Sequence, residues 1–299
     1  MTGPHLRSPG TNDQGFILVF VVGLCLLLAI LGATFGRSVQ SAARHASLAV
    51  ERSKAAALAD GGIAIARTRL AAGGGEGDTV CSIAGAGVLA IRIEDEHGKV
   101  SLNSDNDVLL RALFIGLGVT AEDADRYVAL LRDYRDPDSD QRRGGAEREA
   151  YVAAGRRDGP KNANFDSVFE LDRVMGLPAD LRAALKPFVT AVSTRSGIDP
   201  DHARLQLLNI LAMGGDFGHA DLAFGGRPKL PNAFTTISMR SVFFVRAVAA
   251  TEGARFVRAS MISRPVGQGE TMRTLTWLQD EVTGADEALL IQSPSPPPC

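Results

Sequence analysis

The chain has 299 residues, of which 45% are hydrophobic and 22% are charged, close to the averages of globular proteins. This composition excludes a wholly disordered or collagen-like chain, and three cysteines are too few for a disulfide scaffold. The 32 basic and 34 acidic side chains give a formal charge of −2, so no overall basic surface favours binding to nucleic acid.

The first predicted element is an apolar helix near the N-terminus. The stretch from Phe16 to Gly36 carries no charged side chain, and as a helix it extends about 30 Å, the thickness of a bilayer core. A helix in a soluble core keeps one polar face, which this stretch lacks. The sequence therefore predicts a membrane-inserted segment, either a cleaved signal peptide or an uncleaved anchor.

The residues that follow separate these two alternatives. A signal peptide needs a basic start, which Arg7 supplies only weakly, and a small-residue cleavage site, which Leu31–Ala33 could supply. Beyond the apolar stretch the chain is rich in good helix formers and has no proline before Pro137, and glycines 73–75 end the pattern. We therefore predict one uncleaved helix from Phe16 to Ala72, about 85 Å long, apolar at first and amphipathic afterwards.

The charges around this segment leave its orientation open. The positive-inside rule places basic residues on the cytoplasmic side of a membrane. Arg7 is the basic residue that precedes the segment, whereas several follow it, namely Arg37, Arg44, Arg52 and Lys54. Charge counting alone therefore favours a cytoplasmic C-terminal body.

Strands are predicted on both sides of a helical block. Residues 88–93 alternate as a strand does, residues 94–98 form a turn, and residues 99–102 form a return strand. Residues 104–190 have helical periodicity. Further strands are predicted at residues 242–248, 255–262 and 272–278, the last with Trp277 in the core. This order indicates an α+β fold in which an insertion interrupts one sheet domain.

Several helix ends can be placed within the block. Thr120 is the predicted N-cap of a helix from Ala121 to Tyr134. Asp166 and Ser167 are predicted to cap a helix that reaches Met175, and Pro178 opens another that reaches Leu185. Residues 285–299 are rich in proline and serine and are predicted to be disordered.

The N-terminal features together resemble the type IV prepilins. Gly15 and Phe16 join a short polar leader to the long, half-apolar helix. In that family a prepilin peptidase cuts after the glycine and methylates the new N-terminal phenylalanine. Most members carry glutamate at the fifth mature position, where this chain has Phe20. One subfamily of minor pseudopilins, in type II secretion systems, lacks that glutamate.

Later segments resemble the same subfamily in order and spacing. They are LADGGIAIARTRL, VSLN, LLRALFIGLGV, DYRDPDSD, GAEREAY, PKNANFDSVFEL, LKPFVT, FFVRAVAATEGARFVRASMI and RTLTWLQ. The chain departs from the family at Gln14, where a basic residue is usual, and at residues 197–203, where the family often has G-I-N-x-N-T-A. The stretch after residue 203 is also shorter and rich in glycine.

The resemblance implies a fold and a division of the chain. The fold is a long transmembrane and amphipathic helix packed on a small antiparallel pilin-like sheet, with an inserted all-helical domain of SAM-like or helix-hairpin-helix-like type. The implied parts are the leader (1–15), the helix (16–72), the first part of the sheet domain (73–102), the inserted helical domain (103–195), a short second helical or loop region (196–240), the closing strands (241–284) and the tail (285–299).

The resemblance also implies a function. It is that of a non-enzymatic minor pseudopilin at the tip of a pseudopilus, which promotes protein export across the outer membrane. The implied partners are other minor pseudopilins of the same system and the prepilin peptidase, with no nucleic acid. The implied location is the inner membrane, crossed once, with a short cytoplasmic leader and a periplasmic body. A membrane-anchored periplasmic hydrolase is the alternative, and a DNA-uptake receptor is a weaker one.

One acidic loop has the spacing of a cation site. Asp136, Asp138 and Asp140 alternate, and Glu147 stands at the twelfth position counted from Asp136, which matches much of an EF-hand loop. The sixth position is Gln141 rather than glycine, so EF-hand geometry is not expected. A calcium site of another geometry, which members of the resembled subfamily have, and a solvated acidic turn both remain open.

Other motifs carry less chemistry. The turns at 116–118 and 175–177 resemble helix-hairpin-helix turns, but glycines that end helices explain them equally. Residues 85–90 fit G-x-G-x-x-A, yet they precede a strand, so a dinucleotide site is rejected. No P-loop, H-E-x-x-H or G-x-S-x-G motif is present, and the histidines, predicted to be surface residues, lack ligand spacing. Cys81 and Cys299 could pair in an oxidising compartment, although Cys299 ends the tail.

Overall fold

The structure, a computed structural model, describes residues 12–215, 226–265, 271–291 and 295–299, without the side chains of residues 12–17, 36–39 and 41. In chain order the helices and strands are α1 (Asn12–Ala71), β1 (Gly77–Ile83), β2 (Gly87–Asp95), β3 (Val100–Ser101), α2 (Asp107–Gly116), α3 (Ala121–Arg135), α4 (Arg148–Ala153), α5 (Ala179–Leu185), β4 (Val189–Thr190), α6 (Leu205–Gly214), β5 (Val242–Ala250), β6 (Arg255–Ser263), β7 (Arg273–Asp280) and α7 (Gly284–Ile291).

Helix α1 is continuous over 60 residues, about 90 Å, which confirms the predicted long helix. Its last turns pack on the sheet through small and branched side chains, namely Ala55, Leu58, Ala59, Ile63, Ala66 and Leu70. Helix and sheet approach closely at Gly62, since a Cβ there would lie 2.8 Å from the Cβ of Ala247. The predicted leader lies mostly outside the described residues.

The large sheet has five strands in the order β1-β2-β5-β6-β7, and every neighbouring pair is antiparallel. The chain leaves the sheet after β2 and returns at β5, which lies beside β2. The α+β fold with an insertion is therefore confirmed. Strand β1, which the sequence analysis did not predict, forms one edge of the sheet.

A strand is confirmed within residues 99–102, at Val100–Ser101, but the prediction that it returns beside β2 is wrong. Both edges of β2 are occupied, one by β1 and the other by β5, so no position beside β2 is left for it. Val100 and Ser101 instead pair in parallel with Val189 and Thr190 in a separate two-stranded sheet. This small sheet joins the first residues of the insertion to the residues that follow α5.

The insertion has one hydrophobic core that extends from Val100 to Phe234. Helix α6 belongs to this core and lies against α2, so the described residues around it pack with the inserted domain. The two helices approach closely at Gly116 and Gly214, where a Cβ would collide with the carbonyl oxygens of Ile210 and Ala112 respectively.

The cap predictions in the insertion are mostly confirmed. The Thr120 side chain accepts a hydrogen bond from the Asp123 amide at the start of α3, and α5 begins directly after Pro178. The predicted helix up to Met175 is instead a 3₁₀ turn over Val168–Arg173, with Ser167 in a capping box.

The predictions of a disordered tail and of a buried Trp277 are both wrong. Helix α7 packs Leu289 against a second face of the sheet, on Ala90, Val248 and Val257. Trp277 is 47% exposed, because β7 is an edge strand and α1 packs on β2, β5 and β6 instead. The guanidinium of Arg258 lies 5.2 Å from the centre of the indole ring.

Candidate functional site

The first half of α1 is the candidate membrane anchor. Residues 18–35 have a mean hydropathy of 2.8, and none of them is buried against the body. Within the described part of the chain, one helix is long enough and apolar enough to cross a membrane, and this is that helix. Phe20 lies on it and is 63% exposed. The helix therefore fits a single-pass anchor.

Gly15 and Phe16, the predicted processing site, lie within the same helix. Their side-chain surroundings are outside the described part of the chain. Cleavage between these two residues stays a prediction.

A cluster of carboxylates forms where α3 ends and α4 begins. Asp133 lies in the last turn of α3, Asp136 follows that helix, and Glu147 precedes α4. One oxygen from each of the three lies within 4.8 Å of the others. The structure thus brings together two of the residues predicted from the sequence, whereas Asp138 and Asp140 are exposed on the loop.

Asp133 was missed because the sequence analysis counted ligand positions from Asp136 onward. Its position three residues before Asp136, in the last turn of the predicted helix that leads into the acidic loop, is the signal that could have found it. The exposed Asp138 has a local role instead. Its carboxylate accepts a hydrogen bond of 2.9 Å from the Asp140 amide.

Glu147 is the least compensated member of this carboxylate cluster. It is 5% exposed, and neither of its carboxylate oxygens has a hydrogen-bond partner of good geometry among the described residues. Burial raises the pKa of Glu147, and the charges of Asp133, Asp136 and Asp138 raise it further, while the Arg148 amide opposes them weakly. An oxygen of Asp136, Oδ1, is likewise buried without a partner.

The donor set of the carboxylate cluster fits a hard cation. Carboxylate oxygens are the ligands that Ca²⁺ prefers, and unpaired buried oxygens are costly unless a positive charge faces them. The loop is also shaped around the cluster. A Cβ at Gly145 would collide with the carboxylate of Asp133, so the small residue there leaves room for that carboxylate.

A second group of ionisable residues joins the sheet to the insertion. Glu76 lies just before β1 and Asp95 ends β2, and both lie close to His202 of the insertion. His202 contacts Glu76 through Nδ1, and Asp95 accepts a 2.6 Å hydrogen bond from the Ser238 hydroxyl. These contacts form a polar bridge between the two parts.

The histidines of this junction are less exposed than expected. His97 was predicted to lie on the surface, but it is only 9% exposed, and its amide donates to the carboxylate of Asp95. Sequence reasoning missed the polar bridge because its members lie far apart in the chain. His5 and His219 are outside the described residues.

The C-terminal residues close one edge of the sheet. Cys81 of β1 and Cys299 form a disulfide, one of the two outcomes that the sequence left open. The amide of Ser82 donates to the carbonyl of Pro297 at 2.7 Å, and the amide of Cys299 donates to the carbonyl of Ser82 at 3.0 Å. The end of the chain is therefore fixed to β1 by covalent and hydrogen bonds.

The turn at residues 116–118 does not present free amides to a phosphate. The amide of Leu117 donates to Leu113, that of Gly118 to Ile115, and that of Val119 to Phe114. These bonds end helix α2. The helix-ending interpretation of these glycines is therefore the one that the structure supports.

Comparisons with known proteins agree on one family. Residues 91–194 match the family described as type II secretion system (T2SS), protein K. A relative from Dickeya chrysanthemi, described as type II secretion system protein K, is 38% identical over 81 residues, which are 27% of this chain and 22% of the relative. The match thus spans less than a quarter of that relative's length.

A solved structure has the same fold. It is a chain in the crystal structure of the GspK-GspI-GspJ complex from the type 2 secretion system of enterotoxigenic Escherichia coli. The likeness has a TM-score of 0.52 at 20% identity and covers 69% of this chain and 84% of that chain. The resemblance drawn from the sequence is confirmed over residues 91–194, from strand β2 through most of the insertion, where the chain matches the type II secretion system protein K family.

Proposed function

We propose that the chain is a minor pseudopilin of a type II secretion system, a membrane-anchored structural subunit without enzymatic activity. One observation carries this proposal. A protein K domain is inserted between neighbouring strands of a sheet, and that sheet holds a long helix whose first half is apolar and free of the body. Nothing in the comparisons favours the alternative of a membrane-anchored hydrolase.

The proposed partners are other minor pseudopilins of the same system, bound along α1. The similar solved chain belongs to the GspK-GspI-GspJ complex. Supporting this, α1 leaves apolar side chains uncovered beyond the sheet: Leu48 is 55% exposed and Val50 is 54% exposed. Leu48 lies two helical turns before Ala55 and on the same face, so a neighbouring helix can extend the packing that the sheet begins.

We further propose that the subunit occupies the tip of the pseudopilus in a single copy. In the resembled family the glutamate at the fifth mature position pairs with the N-terminal amine of the subunit above, which offsets the cost of burying that amine. Phe20 cannot provide this charge, so nothing is gained from a subunit above. The bulk of the insertion would also crowd such a subunit.

The proposed location and processing also rest on the resemblance to the type IV prepilins. The prepilin peptidase cleaves between Gly15 and Phe16, α1 stays in the inner membrane, and the body lies in the periplasm. The disulfide between Cys81 and Cys299 supports an oxidising compartment for the body. This placement runs against the simple positive-inside count, which favours a cytoplasmic body.

We also propose that the carboxylate cluster binds calcium through Asp133, Asp136 and Glu147, with Asp138 and Asp140 close by on the same loop. The ion would neutralise carboxylates that otherwise repel one another. It would also tie the end of α3 to the start of α4. The unpaired oxygens of Glu147 are the main support.

The assembly proposal is tested with the full-length chain, co-expressed with the other minor pseudopilins of its own system and purified in detergent. Native mass spectrometry should find a heteromeric complex with one copy of this chain. Leu48→Glu should weaken that complex, because it places a charge on the exposed apolar face. Ser47→Glu, the adjacent exposed position, is the matched control. A chain that assembles alone into fibres, or equal effects of both variants, would contradict the proposal.

A further inference from the structure

The side chain of Arg142 lies against the carboxylate cluster as a positive charge of the protein itself. Its Nη1 donates to Oδ1 of Asp133 at 3.1 Å and also to Oδ2 of Asp136. The side chain of Asp133 is fully buried, whereas that of Arg142 is 43% exposed. An exposed arginine thus reaches inward to one fully buried and one partly buried carboxylate, and no other basic side chain pairs with either of them in the described residues.

A divalent cation would bind the same carboxylates. Asp133 and Asp136 each face the guanidinium through one oxygen, while both oxygens of Glu147 have no such partner. A cation bound among the three carboxylates would lie within a few ångströms of the guanidinium and would be repelled by it. One of the two positive charges must therefore weaken the binding of the other.

We propose that Arg142 is a tethered counter-ion that competes with calcium for Asp133 and Asp136 and so sets the calcium affinity of the cluster. This inference rests on the proposed calcium binding. Without calcium, the guanidinium neutralises part of the buried negative charge. When calcium binds, the arginine side chain turns into solvent, which its exposed position makes inexpensive.

The loop can keep its shape while this side chain moves. The backbone amide of Arg142 donates to Asp133 Oδ2 at 3.2 Å, and this bond does not depend on the side chain. The side-chain amide of Gln141 donates to the carbonyl of Gly145 at 2.8 Å. A substitution of the arginine side chain therefore leaves the bonds that close the loop in place.

The test compares calcium binding by full-length wild type, Arg142→Gln and Arg143→Gln in detergent, by isothermal titration with calcium chloride. Arg143 is the matched control, because it is exposed, adjacent and of equal charge, and forms no ion pair in the described part of the chain. Arg142→Gln should raise the calcium affinity about tenfold, because it removes a charged hydrogen-bond donor that competes with calcium for the carboxylates. Arg143→Gln should change it by less than about twofold.

Three outcomes would overturn the inference. Unchanged or weaker binding by Arg142→Gln, in a wild type that binds calcium, would show that the arginine orients the ligands rather than competes for them. Equal gains in both variants would reveal a general effect of net charge. Absence of calcium binding in all three proteins would also remove the proposed calcium site itself.

Arg142→Lys guards against misfolding of the glutamine variant. It keeps the charge but loses the planar fork that reaches two carboxylates, so its calcium affinity should lie between those of wild type and Arg142→Gln. Thermal unfolding in chelator supplies a second readout. Arg142→Gln should unfold at a lower Tm than wild type in chelator and show a larger rise in Tm with calcium. A smaller rise than in wild type would contradict the competition.

Discussion

The disulfide between Cys81 and Cys299 joins edge strand β1 to the end of the chain across a sequence separation of 218. The loop that it closes contains nearly the whole body, including the insertion and the later strands of the sheet. Its removal should therefore affect the unfolding of the body and not only the position of the last residues. Cys299→Ser makes this change with almost no loss of side-chain volume.

The loop length gives the size of the effect. Cross-linking restricts the unfolded chain, and in the chain-entropy treatment a loop of this length stabilises the folded state by about 5 kcal/mol at 25 °C. Residual structure in the unfolded state reduces that figure, and measured values for native disulfides are about 2–5 kcal/mol. The contacts of Leu289 on the sheet remain in the variant. We therefore expect a loss of about 2–5 kcal/mol.

The assay is denaturant unfolding of the full-length protein in detergent, with and without reductant, followed by near-ultraviolet circular dichroism. Cys299→Ser and reduced wild type should unfold at the same lower denaturant concentration. Cys25→Ser is the matched control, because Cys25 is a free, exposed cysteine, and it should behave as wild type in both conditions. Equal midpoints for Cys299→Ser and oxidised wild type would refute the argument from loop length.

Three further predictions concern the helix–sheet contact and the carboxylate cluster, and unfolding measurements check each. Gly62→Ala should destabilise the body by about 1–3 kcal/mol through overpacking, whereas Gly61→Ala, with open space at its Cβ, should stabilise it by about 0.5–1 kcal/mol. Since the pKa of Glu147 is raised, the calcium-free protein should lose stability as pH rises from the ordinary glutamate pKa through the raised value, and Glu147→Gln should flatten that dependence. Calcium should raise Tm by mass action; Asp136→Ala should abolish the rise, and the exposed Asp140→Ala should keep it.

The long helix and the insertion could be predicted because their signals are local. An uncharged apolar stretch followed by good helix formers predicts α1, and strand patterns on both sides of a helical block predict the interrupted sheet. Strand β1 could not be recognised as easily. It is a short, half-buried edge strand that begins at a glycine, so its alternation of apolar and polar residues is weak. Hydrogen bonds to β2, rather than its own sequence pattern, define it as a strand.

The errors at the C-terminus have one physical cause, which is contact between distant parts of the chain. The tail composition is typical of disorder, but Leu289 finds an apolar surface made by β2, β5 and β6, and Cys299 finds Cys81. Trp277 has the residue type of a core position, yet it lies on an edge strand beyond the reach of α1. None of these placements can be seen within a short window of sequence.

The carboxylate cluster was half predicted for a related reason. Asp136 and Glu147 belong to one loop, and their spacing along the chain was sufficient to predict them as cation ligands. Asp133 joins them because α3 continues to Arg135 and turns that carboxylate toward the loop. The pairing of Arg142 with two of these carboxylates depends on the path of the loop, which spacing alone does not give.

The mass of the mature chain and the identity of its first residue test the central claim most directly. The full-length protein is expressed with its prepilin peptidase, extracted from the membrane and analysed by intact mass and N-terminal peptide sequencing. The account predicts a chain that begins with N-methylated Phe16, and a Gly15→Leu variant that keeps its uncleaved N-terminus. Normal processing of Gly15→Leu, or a wild-type chain that is uncleaved or cut after Ala33 as a signal peptide would be, would contradict the assignment as a pseudopilin.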